Sequence, residues 1–270
     1  MKKLLIGAFC ASVLLASCSS KEEGTLNGVF SVSETQKVKF SSGNLEYYKS
    51  TNTFKFADHQ WDVTGHYSGA YKEVEDFTDI FAWGAGDNPT LKLSKKDDKN
   101  FNDWGVNPIA NGGNDKWRTL SSAEWVYLIL QRQNAPNLVA YATLENVKGL
   151  VILPDDWKQP EGVDFKPLAD TLDTRLSQGL TQVKNWSKNK PDLTGANVYT
   201  SAQWQKMEDA GALFLPFNNW SNADKAHPEG RYWSTDPDNY VTFSLTTIWP
   251  KHGCAVSAFK SAVRLVKDAK

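Results

Sequence analysis

Of the three cysteines in this 270-residue chain, two fall within the first eighteen residues and only Cys254 lies beyond them. A chain processed at that point keeps no cysteine pair, so its fold has to be held by packing and polar contacts alone. The side chains available for this are unusually aromatic, with 11 Trp, 13 Phe and 9 Tyr against 2 Met. Large rings bury much area per residue, and in a chain rich in loops they pin segments that no disulfide restrains. A chain of this size buries roughly three quarters of the surface its unfolded form exposes, so it needs no metal or bridge to build a core. Thirty basic and 31 acidic side chains leave a formal charge of -1. That balance supplies no excess with which to neutralise a phosphate backbone, and nucleic acid is excluded as an expected partner.

Residues 1–17 read as a secretory signal. Lys2 and Lys3 form its positive end, and the apolar run from Leu4 to Leu15 is too short for a stable span. The run closes on Leu15-Ala16-Ser17-Cys18, which resembles the lipobox of bacterial lipoproteins; Cys18 is then the lipid attachment site and the first mature residue. Acyl chains on Cys18 would hold the protein on the outer membrane. Residues 18–25 are expected to be the lipidated cysteine and a tether. Within them Lys21-Glu22-Glu23 reads either as a signal for export to the cell surface or as a plain solvated linker. One domain is expected over 26–270.

Along the mature chain, Val38 and Phe40, Leu45 and Tyr47, Phe54 and Phe56, and Trp61 and Val63 alternate in the period of half-buried strands. Tyr48-Lys49-Ser50-Thr51-Asn52 reads as a hairpin loop. Residues 65–116 are rich in Gly, Asn and Asp with little periodicity, yet carry Trp83 and Trp104, which need a place to pack. Ser121-Ser122-Ala123-Glu124 and Thr200-Ser201-Ala202-Gln203 both fit a capping box and predict two helices, with Trp125, Leu128 and Ile129 on one face of the first and Trp204 and Met207 on one face of the second. Gly211 fits a left-handed helix cap. Behind each helix comes a similar run, Gly149 to Trp157 and Gly211 to Trp220, in which an apolar stretch ends Leu-Pro before two acid or amide residues and a Trp. A polar segment, 158–197, separates them. Tyr240 to Leu245 and Ala262 to Val266 read as closing strands.

No catalytic constellation emerges. Asp155-Asp156 could pair carboxylates for acid-base work, but Asn218-Asn219 takes the corresponding place in the other run, so a turn-capping role is the better reading. Asp98, Asn100 and Asn102 alternate like the start of a calcium loop, yet Asp103 stands where glycine is required and Ile109 where glutamate is. An EF-hand is thereby excluded and an irregular calcium site stays open, but no cofactor is indicated. His59, His66, His227 and His252 show no metal-ligand spacing, and His252-Gly253-Cys254 reads as a structural thiol near an imidazole. Most tryptophans are expected in the core. Trp104, Trp186, Trp220 and Trp249 lie in polar stretches and are the candidates for exposed platforms that would stack on a sugar.

Several short runs resemble a known family: Phe40-Ser41-Ser42-Gly43-Asn44-Leu45, Gln60-Trp61, Phe81-Ala82-Trp83-Gly84, Trp117-Arg118-Thr119-Leu120-Ser121 with Glu124-Trp125, Leu153-Pro154-Asp155-Asp156-Trp157, Tyr232-Trp233-Ser234-Thr235 and Val263-Arg264-Leu265-Val266. Together, over about residues 29–266, they resemble the Fibrobacter-type major paralogous domain found in surface lipoproteins of Gram-negative bacteria. The resemblance implies an α+β, C-type lectin-like fold, with two main helices packed on short antiparallel sheets and long irregular loops. It implies no family-wide reaction and carries over no catalytic residue. The cysteine pair of the formylglycine-generating enzymes is absent, as are the disulfides and the Trp-Asn-Asp calcium motif of animal lectins. The expectation is therefore a binding protein rather than an enzyme, anchored by lipid at the cell surface and recognising a glycan or a surface protein. The alternatives are an extracytoplasmic enzyme acting on surface polysaccharide or protein, and a structural adhesin or envelope subunit.

Overall fold

The structure, a computed structural model, describes residues 22–63, 76–91, 100–168, 172–175, 180–183, 193–218, 229–237, 239–245, 247–253 and 259–269. It is an α+β fold in which two main helices pack on several small, mostly antiparallel sheets. No helix among the described residues is long and apolar enough to cross a membrane.

The N-terminal alternation builds two of the sheets. β1 (Phe30–Ser31) and β2 (Lys37–Phe40) pair antiparallel, and the C-terminal strand β15 (Val266–Asp268) adds to the other edge of β2. β3 (Leu45–Tyr48) and β4 (Thr53–Phe56) form the expected hairpin, with β5 (Phe77–Thr78) on the far side of β3. Asn52 closes the turn at φ 53°, and its side chain accepts a 2.6 Å hydrogen bond from the Tyr47 hydroxyl. β3 departs from the expected half-buried pattern. Lying between two strands, it buries Glu46 as well as Leu45 and Tyr47. Trp61 and Val63 form no strand either. The chain turns there, where Asp62 accepts from the His59 amide, and the Gln60 side chain is drawn into the interior.

The helical start signals hold, with both capping boxes formed. α1 (Ser122–Val126) makes little more than one regular turn and then widens into a π-helical turn over Tyr127–Gln131. Trp125, Leu128 and Ile129 are buried, as their spacing predicts. After the wide turn Arg132 swings inward, donating to the Leu153 carbonyl at 2.6 Å and to Asp155 at 3.0 Å. α2 (Ser201–Asp209) is regular, and Gly211 follows it at φ 93°.

The two similar runs behind the helices are neighbours in space. β6 (Val139–Leu144), β7 (Val147–Ile152) and β11 (Leu213–Pro216) pair antiparallel, with Leu213 opposite Ile152 and Pro216 opposite Gly149; the short β10 (Val198–Tyr199) runs parallel to β6. At Gly149 a side chain would collide with the Phe214 ring and the Leu215 carbonyl, so only glycine admits this close pairing. The sheet is covered on both faces. Tyr141, Leu150, Ile152, Leu213 and Leu215 join the cluster that holds Trp125, while Ala142, Leu144, Val151, Leu153 and Phe214 join the one that holds Trp204 and Met207. Burial on both sides is why these runs are continuously apolar rather than alternating.

A five-stranded sheet, ordered β12-β13-β14-β9-β8, completes the fold: β8 (Leu172–Arg175), β9 (Leu180–Val183), β12 (Glu229–Trp233), β13 (Asn239–Ser244) and β14 (Thr247–Gly253). β8 and β9 fall in the segment read as a polar spacer. The aromatic loops have their own core. Trp83, Trp104 and Trp117 are buried with Phe54, Phe56, Phe81 and Trp233.

Between these units lies a buried polar network centred on Arg264, which is 1% exposed. Its guanidinium donates to the Asn44 side chain at 3.3 Å and to Gln60 Oε1 at 2.9 Å. Gln60 also accepts from the Phe214 amide, and donates to Glu208 on α2 and to the Ala212 carbonyl. Asn44 reaches the Tyr232 hydroxyl, which in turn donates to the Pro216 carbonyl.

The rings at the two helices are expected to dominate local stability. Trp125→Ala and Trp204→Ala should each lower the unfolding free energy by about 3–5 kcal/mol, against about 1 kcal/mol for Thr200→Ala, which removes only a cap. Urea unfolding followed by circular dichroism measures all three, and near-wild-type stability of Trp125→Ala would show that this ring does not hold its helix.

Candidate functional site

The sequence candidates separate cleanly. Trp104 is 0% exposed and lies against Phe81 and Phe101, so the expectation of an exposed platform is corrected there: a ring sealed on its faces offers nothing to a ligand. Asp103 beside it is committed to structure, accepting from the Gly105 amide and from both the amide and hydroxyl of Thr119. Cys18, Trp186 and Trp220 lie outside the described residues, as do Asp98, His66, His227 and Cys254. Trp249 is described and is half-buried.

Trp249 stands on the outward face of β12-β13-β14. Tyr232, Val241, Phe243 and Ile248 of these strands turn inward to the main core. Of the alternate positions, Arg231, Thr242 and Trp249 form one row; in the next, Trp233 and Tyr240, opposite His252, are buried in the cluster that holds Trp83 and Trp104. The register shifts between Tyr240 and Thr242, so that three steps along β14 oppose two along β13. This bulge brings Trp249 and His252, three residues apart, to the same face, where a regular strand would send them to opposite sides. Their rings stack at 4.1 Å and 19°.

The rest of the face is built around Arg231. It pairs with Glu229, and its guanidinium lies 4.8 Å from the Phe259 ring centroid and 5.9 Å from that of Tyr240. Glu229 also accepts from the Thr242 hydroxyl at 3.1 Å. Phe259 stacks on Trp233 at 5.2 Å. Glu229, Arg231, Trp249, His252 and Phe259 are all intermediate in exposure. Arg231 Nε and His252 Nδ1 are buried atoms without a hydrogen-bond partner. Burial holds the His252 imidazole below its ordinary pKa; Arg231 adds to that depression and Glu229 opposes it. What this face presents is the stacked, half-exposed pair of Trp249 and His252 beside the Arg231–Glu229 ion pair. No protein-family model, curated protein or solved structure matches the chain.

Sequence reasoning singled out Trp249 but missed Arg231, Glu229 and Phe259. The alternation of Glu229, Arg231 and Trp233 is a legible period-two signal, whereas the bulge that aligns His252 with Trp249 leaves none. The turn-capping expectation for Asp155 is corrected by its contacts: its carboxylate reaches across the chain instead, accepting from the Ser31 amide and hydroxyl and from Arg132. Burial pushes its carboxyl up, and those bonds outweigh burial and hold it below the usual range. Asn218 in the other run is bonded differently, its amide pairing with the backbone of Arg231 in both directions.

One carboxyl elsewhere is strongly perturbed. Glu46 on β3 is pushed up to about 7 by burial, reinforced by Asp79 and Asp62, while the Tyr48 hydroxyl and Lys55 pull the other way. Among the described residues no group of three or more His, Cys, Asp or Glu side chains is arranged to hold a metal ion. The folded value lies above the unfolded one, so the stability linked to this carboxyl is fully present below pH 4.5 and is lost as pH rises through about 7. Glu46→Gln is therefore expected to be the more stable form at pH 8, by on the order of 2 kcal/mol after solvent screening. The difference should fade towards pH 4.5; parallel melting curves of the two proteins between those limits would refute the assignment.

Proposed function

We propose that this protein is a lipid-anchored binding protein of the cell surface, with a C-type lectin-like domain that recognises a glycan through the outward face of β12-β13-β14. The observation that carries the reading is the half-exposed Trp249 ring, stacked on His252 beside the Arg231–Glu229 pair. The apolar face of a pyranose stacks on such a ring, and its hydroxyls pair with a fixed donor and acceptor. The lipobox at Leu15-Ala16-Ser17-Cys18 supplies the address. Glu229 is already engaged by Arg231 and Thr242, so recognition is expected without calcium.

A soluble form beginning at Glu22 should bind a polysaccharide weakly, quench tryptophan fluorescence on doing so, and be unaffected by EDTA. Trp249→Ala should weaken that binding about tenfold or more while leaving the melting temperature near wild type. A broad glycan array without hits, together with a protein partner captured by crosslinking on intact cells, would replace the glycan reading by protein adhesion. For the anchor, Cys18→Ser should abolish palmitate incorporation and release the protein from the membrane fraction; continued lipidation of that variant would overturn the assignment.

A further inference from the structure

The segment expected to be a tether is already docked at Glu22. The Glu22 carboxylate lies 3.1 Å from Lys39 Nζ and 3.0 Å from Lys267 Nζ, bridging β2 and β15. Lys267 is in turn paired with Asp115. Behind Glu22 the backbone is fixed: Ser42 donates to the Gly24 carbonyl at 2.8 Å, Thr25 bridges to Ser41, and Thr25 and Leu26 are buried. Gly24, at φ 68°, runs so close to Asn111 and Gly112 that a side chain there would strike the Asn111 carbonyl.

Only Ser19, Ser20 and Lys21 separate Cys18 from Glu22. Four steps of fully extended chain reach at most about 14 Å. A domain of roughly 250 residues has a radius of gyration of about 18 Å. The leash is therefore shorter than the body it holds. A body on so short a leash cannot turn freely above the membrane, and the face where the leash enters must look down.

Resting on the lipid-anchor reading, we infer that the face formed by the ends of β2 and β15 and the Asn111–Lys116 turn lies against the headgroups of the anchoring bilayer. The side chains around the entry point, Lys39, Lys267, Asp115, Asn114 and Lys116, are polar or charged, so the contact is with headgroups and not with acyl chains. Asn114 is exposed in the turn on which Glu23 and Gly24 pack, which makes it a reporter of this apposition.

The test uses the full lipoprotein carrying Cys254→Ser and Asn114→Cys, reconstituted in phosphatidylcholine vesicles, and a 5-kDa polyethylene-glycol maleimide as the probe. Modification at residue 114 should be slowed about fivefold or more relative to a form with a 20-residue Gly/Ser spacer inserted between Ser20 and Lys21, which should react as fast as the unlipidated Cys18→Ser form. Equal rates with and without the spacer, in protein shown by palmitate labelling to be lipidated, would overturn the apposed face while leaving the anchor intact. Absence of palmitate from the unspaced protein would overturn the anchor, and this inference with it. Matching melting temperatures of the spaced and unspaced proteins establish that the spacer alters reach and not folding.

Discussion

A buried cation without a carboxylate in direct contact holds the pieces of this fold together. Burial pushes the Arg264 guanidinium down to about 10, and at neutral pH it remains charged in an interior that would otherwise reject it. Its charge is dispersed through the Asn44 and Gln60 side chains, with Glu208 reached only through Gln60. The network is not fully satisfied: Arg264 Nε is buried without a hydrogen-bond partner, a cost the other bonds of the guanidinium have to offset. The members come from the first sheets, from α2, from β11 and β12, and from the C-terminal segment. No disulfide is needed to bring both chain ends to one place. The pairing of β2 with β15 does so, and the network ties the segments around Asn44 and Gln60 to α2, β11 and β12.

The parts of the fold legible in the sequence are those decided locally. Capping boxes at Ser121 and Thr200 need only four residues each, and the apolar runs at Leu150 and Leu213 announce strands whatever surrounds them. What was illegible depended on distant partners. Glu46 sits at the polar position of an alternating strand, yet it is buried, with Asp79, more than thirty residues on, close enough to raise its pKa. Gln60 follows the pattern of a surface strand, yet its amide is claimed by Arg264, more than two hundred residues away. The π-turn after α1 likewise has no local signature; it ends on Arg132, whose partners lie at Leu153 and Asp155.

The runs that carry the family resemblance fall largely on this interior. Asn44, Gln60, Trp83, Trp117, Trp125, Tyr232, Trp233 and Arg264 are all buried, and four of them, Asn44, Gln60, Tyr232 and Arg264, form the network itself. They therefore speak about how the chain folds. Glu229, Arg231, Trp249 and His252, which make the candidate face, belong to none of those runs. The runs that carry the resemblance and the candidate face thus occupy different residues, which is why reading the first says little about what the second does.

The two are nevertheless mechanically joined, because they alternate along the same strand. On β12 Arg231 points to the candidate face, Tyr232 points into the Arg264 network, and Trp233 enters the cluster that holds Trp83 and Trp104. Tyr232 is fully buried, its hydroxyl bonded on both sides of the network, and its ring stacks on Phe243 of β13 at 5.9 Å. A residue so held fixes the backbone on either side of it, and with it the direction in which Arg231 leaves the sheet. Arg231 is further confined by Phe259 and Glu229, so little side-chain entropy remains to be lost on binding. Preorganisation of this kind comes from the interior outward. The direction in which Arg231 leaves the sheet is thus set by a tyrosine whose hydroxyl is bonded within the Arg264 network on the other side.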